Sequence, residues 1–184
     1  MAPEIAELLV RPYSPIFGSE SVPVTIVEFF DPACEGCRAF HPIVKYVLAQ
    51  YPEQVRVVIR YTPFHGEASE RAIAVLEAAR LQGIYLQVME ALLAKQDEWA
   101  SHGTPAATRI MQIAGAVGLD IKVATTQVQM PDIISILNQD RADVDAVGIR
   151  QTPTFFVNGK PLPEFGEAPF RALVAAEVEL AGKS

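Results

Sequence analysis

Val24-Thr25-Ile26-Val27-Glu28-Phe29-Phe30-Asp31-Pro32-Ala33-Cys34-Glu35-Gly36-Cys37 is the stretch that decides the fold. Its first half is β-branched and aromatic, as a buried strand requires. Asp31-Pro32-Ala33 breaks the run. Beyond Cys37, apolar Phe40, Ile43, Val44, Val47 and Leu48 recur at helical spacing up to Tyr51-Pro52. The two cysteines, three positions apart, therefore stand where a strand hands over to a helix. Free amide N–H groups and the positive dipole end at a helix start favour an anion, and the thiolate is the attacking species in disulfide exchange.

Working outward, a second strand, Val55–Tyr61, follows the helix. The two strands with their crossover helix form a βαβ unit, which predicts parallel strands with a right-handed connection. Residues 1–23 read as an extended lead-in punctuated by Pro12, Pro15, Gly18 and Pro23, with Leu8–Arg11 as a short edge strand. Residues 66–147 turn helical. Ala72, Val75, Leu76 and Ala79 mark one helix, and Tyr85, Val88, Met89, Leu92 and Leu93 mark another. Thr104-Pro105 opens a third as N-cap and first helical proline, and Pro131 opens a fourth with Ile133, Ile134, Leu137 and Val144 on its apolar side. Residues 148–184 return to the first style. Thr154–Val157 is a strand, Asn158-Gly159 a hairpin turn, Lys160–Leu162 a short partner, and a last helix starts near Pro169. The expected architecture is α/β: a central mixed sheet built from 24–65 and 148–184, with an all-helical block, 66–147, inserted between.

The chain has 184 residues, half of them hydrophobic, enough for a sizeable core without cross-links. Its 15 basic against 22 acidic side chains leave a formal charge of −7, which argues against nucleic acid or an anionic membrane surface as partner. Met1-Ala2-Pro3-Glu4 shows no leader pattern. Both cysteines lie in one motif. A structural bridge closing so short a loop would contribute only about 2 kcal/mol, and a zinc site would want four ligands, for which His41, His65 and His102 form no obvious second pair. His41, four after Cys37 and seven after Cys34, shares their helical face and reads chiefly as a packing residue beside Pro42. No metal is expected.

The arrangement is similar to the thioredoxin fold with a helical insertion, as in DsbA-like thiol:disulfide oxidoreductases. The likeness runs from about Pro23 to Gly182. It rests on the Cys34–Cys37 pair after a strand and on Glu28, six residues earlier, where such proteins carry a buried acid. It rests also on Pro42, five after Cys37, on Thr152-Pro153 before a strand, and on Tyr61-Thr62-Pro63-Phe64-His65 leading into an Ala- and Glu-rich helix. Glu35-Gly36 departs from the Pro-His of strongly oxidising relatives and from the Gly-Pro of thioredoxin, and Ala33 replaces the usual tryptophan.

The resemblance implies Cys34 as nucleophile and Cys37 as resolving thiol. Glu28 would relay protons to Cys37, although strand alternation alone equally allows a solvent-facing side chain. Burial would raise its pKa. Thr152 and Pro153 would form a cis-proline loop that binds substrate. Glu35 and Gly36 would tune the thiol pKa, the Glu35 anion opposing the Cys34 thiolate. The Cys34–Cys37 couple needs no cofactor, because two sulfurs carry two electrons. Substrates would be cysteine-containing proteins, with a membrane redox partner restoring the couple. The setting would be periplasmic or otherwise extracytoplasmic, a cytoplasmic one staying open, and the chain would act as a monomer. A reductase or isomerase of the same fold and a metallochaperone using Cys34 and Cys37 are the alternatives. Glutathione-dependent transferases share the fold and insert but typically lack an intact C-x-x-C.

Overall fold

The computed structural model describes residues 7–100 and 106–183. They divide into two units: one of residues up to Phe30, Ala39–Arg60 and from Asp143 onward, the other of Asp31–Arg38 and Tyr61–Ala142.

The first unit carries a five-stranded sheet. Its strands are β1 (Ile16–Phe17), β2 (Val24–Phe30), β3 (Val55–Tyr61), β4 (Thr154–Val157) and β5 (Lys160–Pro161), in the order β1-β3-β2-β4-β5. β2 and β3 are buried along nearly their whole length, as strands covered on both faces must be. β1 runs antiparallel to β3, with Ile16 opposite Val58. β4 runs antiparallel to β2, with Glu28 opposite Phe155. Between β2 and β3 the chain makes the helical crossover that a parallel pair needs, through α1 (Glu35–Gln50), which contains Pro42.

β4 and β5 pair Val157 with Lys160. Asn158 and Gly159 therefore form a two-residue turn with φ of 47° and 77°, the positive values a type I′ hairpin demands. Glu177 on α8 (Glu167–Ala181) anchors this turn, accepting from Asn158 Nδ2 at 3.2 Å and Lys160 Nζ at 2.6 Å.

Alternation sorts the side chains. Val27 and Phe29 join Leu9, Val58, Val144, Ile149 and Phe156 in one apolar cluster. Glu28, one step out of phase, shares the opposite face with Phe155. There Phe155, Phe40 and Phe170 pack with ring centroids 4.8–5.4 Å apart.

Residues Leu8–Arg11 are not an edge strand. Glu7–Leu9 is helical, Leu9 is drawn into the core, and Ser14 N–H donates to Arg11 O to turn the chain before Pro15. The edge is Ile16–Phe17 instead, with Ile59 N–H donating to Pro15 O.

The remaining helices are α2 (Gly66–Leu81), α3 (Tyr85–Ala94), α4 (Gln96–Trp99), α5 (Ala106–Ala116), α6 (Ile121–Gln127) and α7 (Pro131–Val147). Within the second unit α2 packs on α3, α5 and α6. The Thr104-Pro105 cap lies outside the described residues. α6 was not expected from the sequence; Asp120 caps it by accepting the Val123 N–H at 3.1 Å. Ile133 and Val144 are buried as expected on α7, but Ile134 is 49 % exposed, and Ile136 takes an inward position instead. No helix among the described residues is long and apolar enough to cross a membrane.

Candidate active site

β2 stops at Phe30 because Asp31 redirects the chain. The Asp31 carboxylate accepts the Ala33 N–H at 2.9 Å, an Asx-type turn that competes with strand continuation. Cys34 N–H then donates to Asp31 O at 3.0 Å, and Arg38 N–H to Cys34 O at 3.1 Å. Cys34 is thus the N-cap residue of α1, and its own carbonyl starts the helical ladder.

Both cysteines are buried, to different degrees. Cys34 retains 8 % of its surface and Cys37, one turn into the helix, none. No disulfide joins the two here. The backbone N–H of Asp31 points at Cys37 Sγ, 3.4 Å away. Glu35 is exposed and Gly36 half-buried, which puts the charge of this dipeptide in solvent.

Two groups that sequence reasoning missed hold this turn. Asp31 is wholly buried. Its Oδ2 accepts from Phe64 N–H at 2.8 Å, from His65 N–H at 3.2 Å and from His65 Nδ1 at 2.7 Å. His65, weighed above as a metal ligand, is thereby committed to a carboxylate. Gln96 at the start of α4 donates its side-chain amide to Pro32 O at 2.8 Å and Cys34 O at 3.0 Å. The Asx turn was legible in Asp31-Pro32-Ala33. No local pattern announces Gln96. Among the described residues no three His, Cys, Asp or Glu side chains converge as metal ligands.

The other expected site residues belong to the first unit. Glu28 is buried, 2 % exposed, in the middle of β2, so the solvent-facing alternative for it is excluded. The Thr152–Pro153 peptide bond is cis, Pro153 is buried, and Thr152 is half-buried. His41 lies half-buried in α1.

A family model described as Thioredoxin matches residues 11–174. The chain belongs to that family. Among solved structures, this thioredoxin-family chain is similar to a thioredoxin-like oxidoreductase from Silicibacter pomeroyi, at 31 % identity and a TM-score of 0.80, covering 96 % of each chain. It also shares its fold with alpha-DsbA1 of Wolbachia pipientis, at 18 % identity and a TM-score of 0.83, again over 96 % of each chain. A curated relative, the Na(+)/H(+) antiporter NhaA 1 of Mycolicibacterium gilvum, is 31 % identical over 163 residues, which are 83 % of this chain and 25 % of that protein. The chain thus spans about a quarter of the length of the curated relatives it matches.

Proposed function

We propose that this thioredoxin-family chain is a thiol:disulfide oxidoreductase acting on cysteine-containing proteins, with Cys34 and Cys37 as its redox couple. The observation that carries this is the placement of the pair: Cys34, which keeps 8 % of its surface, caps the N-terminus of α1, and the fully buried Cys37 lies one turn further on. In the oxidising direction a substrate thiolate attacks Cys34 of the Cys34–Cys37 disulfide. A substrate–Cys34 bond forms, and Cys37 leaves as thiolate and takes a proton. A second substrate thiol, losing its proton, attacks the substrate sulfur and releases Cys34. The substrate gains a disulfide and the couple gains two electrons and two protons.

The family resemblance gives Glu28 the proton traffic of Cys37, and the burial of its carboxyl supports this. Thr152 and Pro153 would pair with an extended substrate segment, and Glu35 would moderate the thiolate of Cys34. No cofactor is needed. Extracytoplasmic oxidative folding, with a membrane partner that restores the disulfide, is the setting that the resemblance to DsbA-like proteins implies.

Equilibration of the protein with glutathione buffers tests the reading and sets its direction. A potential near those of strong oxidants would mark an oxidase, and one near thioredoxin a reductase. Cys34→Ser is expected to abolish exchange, while Cys37→Ser accumulates a mixed disulfide through Cys34. Exchange that survives in Cys34→Ser would refute the assignment.

A further inference from the structure

The Asp31 carboxylate is wholly buried in the strand-to-helix turn. A carboxylate offers about four acceptor sites, and four donors occupy them here: Ala33 N–H, Phe64 N–H, His65 N–H and His65 Nδ1. The side chain is therefore fixed from two sides, by its own turn and by the loop between β3 and α2. What it fixes is its own backbone, whose N–H lies 3.4 Å from Cys37 Sγ. Cys37 has no exposed surface, so solvent does not reach the sulfur to solvate a charge there. A buried thiolate is costly without hydrogen bonds.

We infer that Asp31 is a positioning residue for the resolving step. It clamps its backbone N–H on the Cys37 sulfur and so stabilises the anion that must form there. The inference rests on the proposed exchange chemistry. In the mixed disulfide between Cys34 and a partner sulfur, Cys37 gives up its proton, and its thiolate attacks Cys34. The Cys34–Cys37 bond forms, the bond from Cys34 to the partner sulfur breaks, and the partner leaves as a thiolate. The Asp31 N–H meets charge only while Cys37 carries it. It contributes nothing to the earlier attack by Cys34. The carboxylate touches no reacting atom and acts through its own main chain. His65 belongs to the same device, because it supplies two of the four donors.

An aromatic disulfide such as 5,5′-dithiobis(2-nitrobenzoate) separates the two steps in the reduced protein. The first equivalent of coloured thiolate reports attack by Cys34 on the probe, and the second reports release by Cys37. Asp31→Asn replaces one acceptor oxygen with a donor amide facing donors, and so loosens the clamp. The expected result is a second phase slowed about tenfold with the first within twofold. The corresponding loss of about 1.4 kcal/mol in barrier stabilisation is what one factor of ten means. His65→Ala removes the side-chain donor but keeps three backbone donors. It is expected to slow the second phase about threefold, and it decides the matter should Asp31→Asn fail to fold. Asp97→Asn, removing an exposed carboxylate paired with Arg38, is the charge control, and both phases should stay at the wild-type rates.

An unchanged second phase in the folded variants would overturn the inference. So would equal slowing of both phases, or slowing in Asp97→Asn to the same degree. A wild-type protein that releases no coloured thiolate while folded would instead defeat the exchange chemistry itself.

Discussion

Gln96 donates its side-chain amide to the backbone carbonyl of Cys34 at 3.0 Å, across 62 positions of sequence. The same amide holds Pro32 O at 2.8 Å, so one side chain secures two carbonyls of the turn that presents the first cysteine. Cys34 O keeps a second donor in Arg38 N–H. Gln96→Leu should therefore orphan chiefly the Pro32 carbonyl in a buried site. The expected cost is about 1–3 kcal/mol, read as a lower urea midpoint with unchanged slope. Amide hydrogen exchange at Arg38 should also quicken as the first turn of α1 loosens. A midpoint equal to wild type would show that the clamp does not hold the turn.

How much of this was legible in the sequence follows from the range of each interaction. β2, β3 and β4 announce themselves because burial on both faces writes a continuous β-branched and aromatic run. The Asn158-Gly159 turn is as local as a signal can be. The cysteine pair at a helix start needs only its neighbours. By contrast, the Asp31 carboxylate finds Phe64 and His65 across 33 and 34 positions, and no periodicity encodes such a meeting. α6 escaped because seven residues offer too few turns for a helical pattern to emerge. Leu8–Arg11 misled because three apolar residues, Leu8-Leu9-Val10, shortly before a proline suit an edge strand as well as a helical turn pinned by Leu9. Arg60 looked like an ordinary strand residue, and nothing local says that it is buried.

That burial has an energetic consequence. The Arg60 guanidinium is fully enclosed, donates to Leu8 O, and pairs with Asp143 at 2.5 Å; Asp143 also takes Arg11 at 2.7 Å. Asp143→Ala would take this carboxylate away from a buried cation, at an expected cost of about 3–5 kcal/mol. Replacing both partners, as Arg60→Met with Asp143→Leu, should cost much less than the single change. Arg11→Ala should cost less too, since Arg11 is partly exposed and leaves Asp143 its second partner. Equilibrium denaturation of the four proteins checks the order. A double variant weaker than Asp143→Ala would reverse the reasoning.

Tyr61 bears on the alkaline side of the stability curve. Burial, then the neighbouring Tyr85 and Glu77, hold its hydroxyl well above the ordinary tyrosine range. The hydroxyl donates to Glu77 Oε1 at 2.7 Å. The folded state keeps the proton that the unfolded chain surrenders near pH 10. Stability from this group is complete below about pH 10 and declines as pH rises from there toward the folded-state value. Tyr61→Phe should flatten that decline while costing about 1 kcal/mol at neutral pH for the lost hydrogen bond, since Glu77 keeps Arg80. Unfolding free energies from neutral to strongly alkaline pH test it; identical alkaline slopes would exclude Tyr61 as the cause.

Glu177 acts at the opposite end of the scale. The hydrogen bond from Lys160, and a further one from Asn158, hold its carboxyl below the usual carboxylate range. The sign is therefore reversed. The unfolded chain binds the proton first as pH falls, so stability from this group is complete above about pH 4.3 and is lost as pH falls through the lower folded-state value. Glu177→Gln should shrink the acid loss. Because the same carboxylate anchors the Asn158-Gly159 turn, it should also cost about 1–2 kcal/mol at neutral pH. Lys160→Met removes the larger of the two causes and leaves the carboxylate with Asn158. It should move the acid transition toward higher pH without touching the turn's own dihedrals. If Lys160→Met left the acid transition where it was, the Lys160–Glu177 pair would not be its source, and the hairpin would owe its acid sensitivity to some other carboxylate.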